Sequence, residues 1–159
     1  MRFLTSIDTS ASGLTAQRFR MDIISNNLAN VNSTRTGNSD ADGVLPYRRQ
    51  MPVFAARQAE PDSFASALSA AEDRRNAPGG GVRVVSVVED EAPFKTVYDP
   101  QHPDAIRTGP LAGYVRMPNV NTVTEMVDMI SATRAYEANV TAVNAAKSMA
   151  MKALEIGKG

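Results

Sequence analysis

The chain of 159 residues has no cysteine and no tryptophan, and only 6% of it is aromatic. Without thiols it has no disulfide framework, no thiolate zinc site, no iron–sulfur cluster and no cysteine nucleophile. It also lacks a charge of one sign, since 17 Lys and Arg balance 17 Asp and Glu around a single His. That balance gives neither the basic stripe by which proteins neutralise phosphate backbones nor a patch for anionic membranes. No apolar run reaches the roughly 18 residues of a membrane span. The first eight residues, with Asp8 among them, lack the apolar block of a cleaved secretory signal. What the chain does hold is 43% hydrophobic residues. With so few rings among them, the buried contacts fall to Ala, Val, Leu, Ile and Met, side chains suited to helix seams.

Two such seams stand at the ends. From Phe3, heptad spacing places Ile7, Leu14, Met21 and Leu28 on one line and Phe3, Ser10, Gln17, Ile24 and Val31 on the next. Seven of these nine are apolar and no proline interrupts them, which predicts a helix over Thr5–Ala29. Between Pro118 and Gly157 there is neither Gly nor Pro, predicting a second helix over Val123–Ile156, about 50 Å long at 1.5 Å per residue. Its expected seam runs Met126, Met129, Thr133, Tyr136, Val140, Val143, Lys147, Ala150 and Leu154. Thr122 and Glu125 have capping-box spacing, with the hydroxyl accepting from the third helical amide and the carboxylate reaching back.

Between the helices the chemistry changes. Residues 34–81 read as a polar loop followed by a variable insertion. Tyr47–Phe54 is expected to be extended but confined to an edge by Pro46 and Pro52, and Ser63–Arg75 to form a short helix burying Phe64 and Leu68. Residues 82–120 read as a turn-rich β unit. Val82–Val88 carries Val at five of seven positions, with Phe94–Tyr98 and Tyr114–Met117 as further strands. The expected organisation is therefore residues 1–33, 34–81, 82–120 and 121–159: mainly α with a small β-like middle. A single small domain cannot readily bury two long stripes except by pairing them with each other and then with neighbours.

Candidate chemistry along the chain is thin. Asn38–Gly43 matches the opening of an EF-hand loop, but the twelfth position, where a bidentate carboxylate completes the shell, is Arg49. Gly79-Gly80-Gly81 lacks the Lys-Ser/Thr that would hold a phosphate. His102 reads as part of a His-Pro-Asp turn, and Glu89, Asp90 and Glu91 as a solvated edge. No catalytic, cofactor-binding or metal-binding set is expected. The Asn-rich stretch Asn26, Asn27, Asn30 and Asn32 either ends the helix in turns or makes a specific subunit contact. The methionines of the second seam serve as core or as an adaptable partner surface.

Ser12-Gly13-Leu14-Thr15-Ala16-Gln17 and Ile24-Ser25-Asn26-Asn27-Leu28-Ala29-Asn30-Val31-Asn32-Ser33-Thr34 resemble the N-terminal signature of flagellar rod and hook proteins, the axial-protein family of the bacterial flagellum. Several further stretches look like the proximal-rod branch of that family: Gly80-Gly81-Val82, Val97-Tyr98-Asp99-Pro100, His102-Pro103-Asp104-Ala105, Pro118-Asn119-Val120-Asn121 and Ser131–Val140. The resemblance covers both ends and the middle, leaving out residues 55–77. It implies an axial core of paired terminal helices, export through the flagellar type III apparatus without a cleaved signal, and polymerisation into the rod with copies of itself and other rod proteins. It also implies no enzymatic activity and no membrane insertion. Under it, Ile7, Leu14, Met21, Ile24, Leu28, Val31, Met126, Met129, Tyr136, Val140, Val143 and Leu154 are expected at subunit contacts. Another rod protein is the neighbouring reading. A cytosolic coiled-coil adaptor would share the helices but not the Asp99–Asp104 and Pro118–Asn121 signatures. A small hydrolase would need a convergent nucleophile, base and oxyanion donor.

Overall fold

The structure, a computed structural model, describes residues 2–37, 39–40, 43–57 and 80–157. The short helix expected over Ser63–Arg75 lies outside the described residues. Two long helices bracket the chain, α1 (Arg2–Ala29) and α2 (Thr122–Ile156). Between them lie β1 (Ser39–Asp40), β2 (Gly43–Val44), β3 (Gln50–Ala56), β4 (Val82–Glu89), β5 (Lys95–Tyr98) and β6 (Tyr114–Met117). The fold is mainly helical with a small β middle, as the sequence leads one to expect.

The strands pair in three two-stranded ribbons. β1 and β2 form a tight hairpin with Asp40 opposite Gly43, in the stretch that begins like an EF-hand loop. β3 and β4 run antiparallel. At one end the Arg57 amide donates to the Gly81 carbonyl, and at the other the Asp90 amide donates to the Arg49 carbonyl, both at 2.8 Å. Because each strand of a two-stranded ribbon is an edge, Pro52 is tolerated within β3. β5 and β6 pair antiparallel from Lys95 opposite Met117 to Tyr98 opposite Tyr114, closing on an edge-to-face contact of the two rings at 5.1 Å. The segment joining these strands turns back at His102, whose amide donates to the Asp99 carbonyl.

The contacts gather the chain into two units. The first comprises residues 1–19, 53–86 and 132–159, the second residues 20–52 and 87–131. In the first unit the buried hydrophobic residues, among those described, are Ala16, Ala132 and Ala146. Small side chains let the helices approach: a Cβ placed on Gly13 of α1 would stand 3.1 Å from the Asn139 amide of α2. The ribbon is tied to α1 through Ser12, whose hydroxyl donates to the Thr9 carbonyl and accepts the Val82 amide at 3.0 Å. Gly81 beside it has φ +99°, and a Cβ there would run into the Ser12 hydroxyl, so this junction requires glycine.

The second unit has larger buried side chains: Ile23 and Ile24 from α1, Ile106, Val115 on β6, and Pro118 and Val120 leading into α2. Here the end of α1 and the start of α2 run antiparallel. Arg20 of α1 pairs with Asp128 of α2, and Asn27 pairs with Glu125. Asn121 caps α2, its Oδ1 accepting the Val123 amide at 3.1 Å, which is the N-cap geometry. The capping box expected from Thr122 and Glu125 does not form, because the Glu125 carboxylate faces the opposite way, towards Asn27 and Arg49.

Candidate assembly interface

The sequence places the contact surface on the two helices, so the first question is which faces they spend within one chain. On α2 the inward face centres on Glu125, Ala132, Asn139 and Ala146 and on Met129, Tyr136, Val143 and Ala150, with Asp128, Thr133, Ala135 and Val140 half-buried at its edges. That is two heptad lines, one of them shared with the expected seam. The other, Glu125–Ala132–Asn139–Ala146, sits one residue before the expected Met126–Thr133–Val140–Lys147–Leu154. The physical reason is size and satisfaction. Alanines admit close helix approach, and Glu125 finds partners inside that no apolar residue could use. Met126 is accordingly 54% exposed and Leu154 73% exposed, while Met129, Tyr136, Val140 and Val143 are half-buried. On α1, Ile24 is buried, whereas Ile7, Leu14, Met21 and Leu28, with Val31 just beyond the helix, are half-buried. The fully buried α1 set is instead Ala16, Ile23, Ile24 and Asn27.

Asn27 is the hub of a polar network in the second unit. Its Oδ1 accepts from the Gln50 amide and from the Tyr47 hydroxyl, each at 2.9 Å. Its Nδ2 donates to the Gln50 carbonyl at 2.9 Å and to Glu125 Oε2 at 3.1 Å. All four hydrogen-bonding capacities of the amide are filled, so a polar side chain only 1% exposed carries no desolvation penalty for an unmet group. Towards Gln50 the amide presents the donor–acceptor pair of a neighbouring strand.

The other oxygen of Glu125, a residue fully enclosed, accepts from Arg49 Nε at 2.6 Å. The same guanidinium reaches Asp128 Oδ2 at 3.4 Å and Asp90 Oδ2 at 3.7 Å, and Asp128 also accepts from Arg20 at 2.9 Å. The Arg49 amide donates to Asn119 Oδ1, whose Nδ2 donates to the carbonyls of Asp90 and Ala92. The residue that stands where a calcium loop needs a carboxylate thus serves as the cation of an internal ion-pair network. Burial, followed by the charges of Glu125 and Glu89, pushes the Tyr47 phenol above its ordinary range.

A second, smaller anchor joins the segment after α1 to the His102 turn. Asp104 accepts from Thr34 Oγ1 at 2.8 Å and from Arg35 Nε at 2.6 Å. Those two hydrogen bonds, Arg35 first, hold its carboxyl below the usual aspartate range. His102 Nδ1 accepts the Asp104 amide at 3.1 Å, which orders the turn. Of the three consecutive acids, Glu89 and Glu91 are exposed and Asp90 is drawn in by Arg49.

Sequence reasoning did not single out Arg49, Glu125 and Asp128 as a network. One signal was present. Asn27 sits on a helix face between Ile24 and Leu28, and a polar residue on an apolar face calls for buried partners. Nothing local identifies those partners, which come from 20 to 98 positions away.

Two stretches match models of flagellar proteins. Residues 7–35 match the flagella basal body rod protein family, and residues 111–156 match the C-terminal region of the flagellar basal body rod FlgEFG proteins. The chain is 51% identical to the flagellar basal-body rod protein FlgC of Borreliella burgdorferi over 159 residues, which is the whole of both chains. It is 50% identical to FlgC of Bacillus subtilis, covering 96% of this chain and 97% of the other. The chain belongs to the FlgC family. FlgC of Salmonella typhimurium is 39% identical over 99% of this chain and the whole of its own. The two family-model matches fall on the end of the chain containing α1 and on the end containing α2, so the family is recognised at the same two helices that carry the seams. Among the described residues no helix is long and apolar enough to cross a membrane.

Proposed function

We propose that this FlgC-family rod protein builds into the proximal part of the rod through its two terminal helices, which pack against those of other copies and of other rod proteins and so carry motor torque along the axis. The observation behind this reading is the interior of the first unit. Its buried hydrophobic residues among those described are three alanines, while Phe19 of α1 and Met149, Met151, Leu154 and Ile156 of α2 stay exposed. At about 25 cal/mol per Å² of apolar surface removed from water, three Cβ groups contribute little, and the large side chains contribute only when something covers them. In the second unit the start of α2 repeats the pattern. Val123, Met126, Val127 and Ile130 lie at i, i+3, i+4 and i+7 on one exposed face, the spacing with which a helix seats in a groove.

The chain acts without catalysis, reaches the rod through the flagellar export apparatus, and lies in the periplasm where an outer membrane is present. Met126→Asp and Leu154→Lys test the assembly reading, the acid near the start of α2 and the cation near its end both suiting the helix dipole. Both positions are exposed in a single chain, so folding stability should stay within about 0.5 kcal/mol of wild type. A desolvated charge at a packed contact costs several kcal/mol. Complementation of a null strain should therefore give neither swimming nor intact basal bodies. Full motility with both substitutions would sink this reading.

A further inference from the structure

β4 begins and ends in opposite chemistry. At its start, in the first unit, α1 and the strand enclose a cleft of about 370 Å³. Ala16, Phe19, Val82 and Val84 line it with apolar surface, and Arg57 and Arg83 bring positive charge to it. Arg57 stands 3.5 Å from Asp8, both exposed, and Arg83 is exposed with no ion pair to a described residue. One cation at the cleft is therefore unanswered among the described residues. The strand's other end lies in the second unit. There Val87 and Val88 are 41% and 46% exposed, and the exposed Glu89 and Glu91 make no ion pair with a described residue. Asp90 between them is occupied by Arg49.

The acidic end of β4 is held in its own ribbon, where the Asp90 amide donates to the Arg49 carbonyl, and its exposed valines and glutamates are left for another molecule. We propose that the cleft takes the Val87–Glu91 end of a second copy, with Val87 against Phe19 and the two glutamates facing Arg83 and Arg57. The inference rests on the reading of the chain as a rod subunit and names one contact within it. Two different patches meet here, so the contact is heterologous. Contacts of that kind leave each added copy with an unfilled cleft or an unused strand end, which is how an open helical array grows.

Charge reversal tests it on the purified full-length chain. Arg83→Glu alone, and Glu89→Lys with Glu91→Lys, should each weaken self-association about tenfold at low salt, because like charges then face each other. The chain carrying all three should recover only about threefold of that loss, since one reversed pair attracts again while the other lysine faces the unchanged Arg57. Wild-type association should also weaken as salt rises. These quantities are read by sedimentation velocity, with circular dichroism melts as the check on folding. If Arg83→Glu unfolds the chain, Arg83→Gln with the salt series makes the same measurement. A wild-type chain that stays monomeric, single reversals without effect, or a triple variant no better than the single reversals would each overturn the contact. The last result would assign the cleft to a different protein. In cells, a non-swimming null strain restored by the Arg83→Glu chain would remove this contact while leaving the rod reading intact. A null strain that still builds rods would remove the rod reading, and the solution measurement would still decide the contact.

Discussion

Asn27 fills its four hydrogen-bonding capacities with groups from two stretches of chain, the Tyr47 hydroxyl and the Gln50 backbone from one and Glu125 from the other. Asn27→Ala would take a partner from the Gln50 amide and carbonyl, from the Tyr47 hydroxyl proton and from an enclosed carboxylate, at a cost of about 2–4 kcal/mol. The denaturant midpoint should fall accordingly. Asn27→Asp should be at least as damaging, because it sets a second carboxylate against Glu125. An Asn27→Ala chain of unchanged stability would mean that the hub is not structural. Asp104 makes a pH-dependent contribution of definite sign. Its carboxyl is held below the ordinary aspartate value, chiefly by Arg35 and then by Thr34. The stabilisation is therefore fully present above about pH 4, the unfolded value, and is lost as pH falls through the folded value. Asp104→Asn should lower stability at pH 6 and flatten the decline between pH 5 and pH 3, as followed by urea melts at each pH.

The helices were legible in the sequence because an uninterrupted periodic pattern is a local property. α1 and α2 end at Ala29 and Ile156 as expected, with α1 starting three residues earlier and α2 one residue earlier. Which stripe of α2 faces inward was only half legible. Hydropathy favours the line through Met126 and Leu154, but helix approach favours the line of Ala132 and Ala146. The structure buries Ala132 and Ala146 of the second and leaves Met126 and Leu154 exposed. Glu125 misled for a similar reason. Three residues after a threonine it has capping-box spacing, yet Arg49, 76 positions away, offers it a charged partner. The partnering of β4 with β3 was likewise outside local reach, since both runs of valine and of alternating residues read as strands without naming a mate. At the junction of that ribbon with α1, Gly81→Ala should destabilise the chain by about 1–3 kcal/mol. It strains a positive φ and displaces the Ser12 hydroxyl from the Val82 amide. Thermal melts of this variant beside Gly37→Ala, where φ is also positive but no atom lies in the way, separate the clash from the backbone strain.

Across the whole molecule the two units divide the energetics unequally. The second closes on isoleucines, valines and a satisfied ion network; among its described residues the first fully buries only alanines as hydrophobic core and leaves Phe19, Met149, Met151, Leu154 and Ile156 exposed. A FlgC-family chain arranged this way does not bring all of its stability with it as a single copy. Three buried alanines have a further consequence: the ordering of the first unit obeys mass action. Each neighbour that covers Met149, Met151 or Leu154 stabilises the folded helices by an amount that grows with the supply of neighbours. The expected outcome is faster amide hydrogen exchange at the helix ends in dilute protein than in concentrated protein, with equal exchange at both concentrations counting against it.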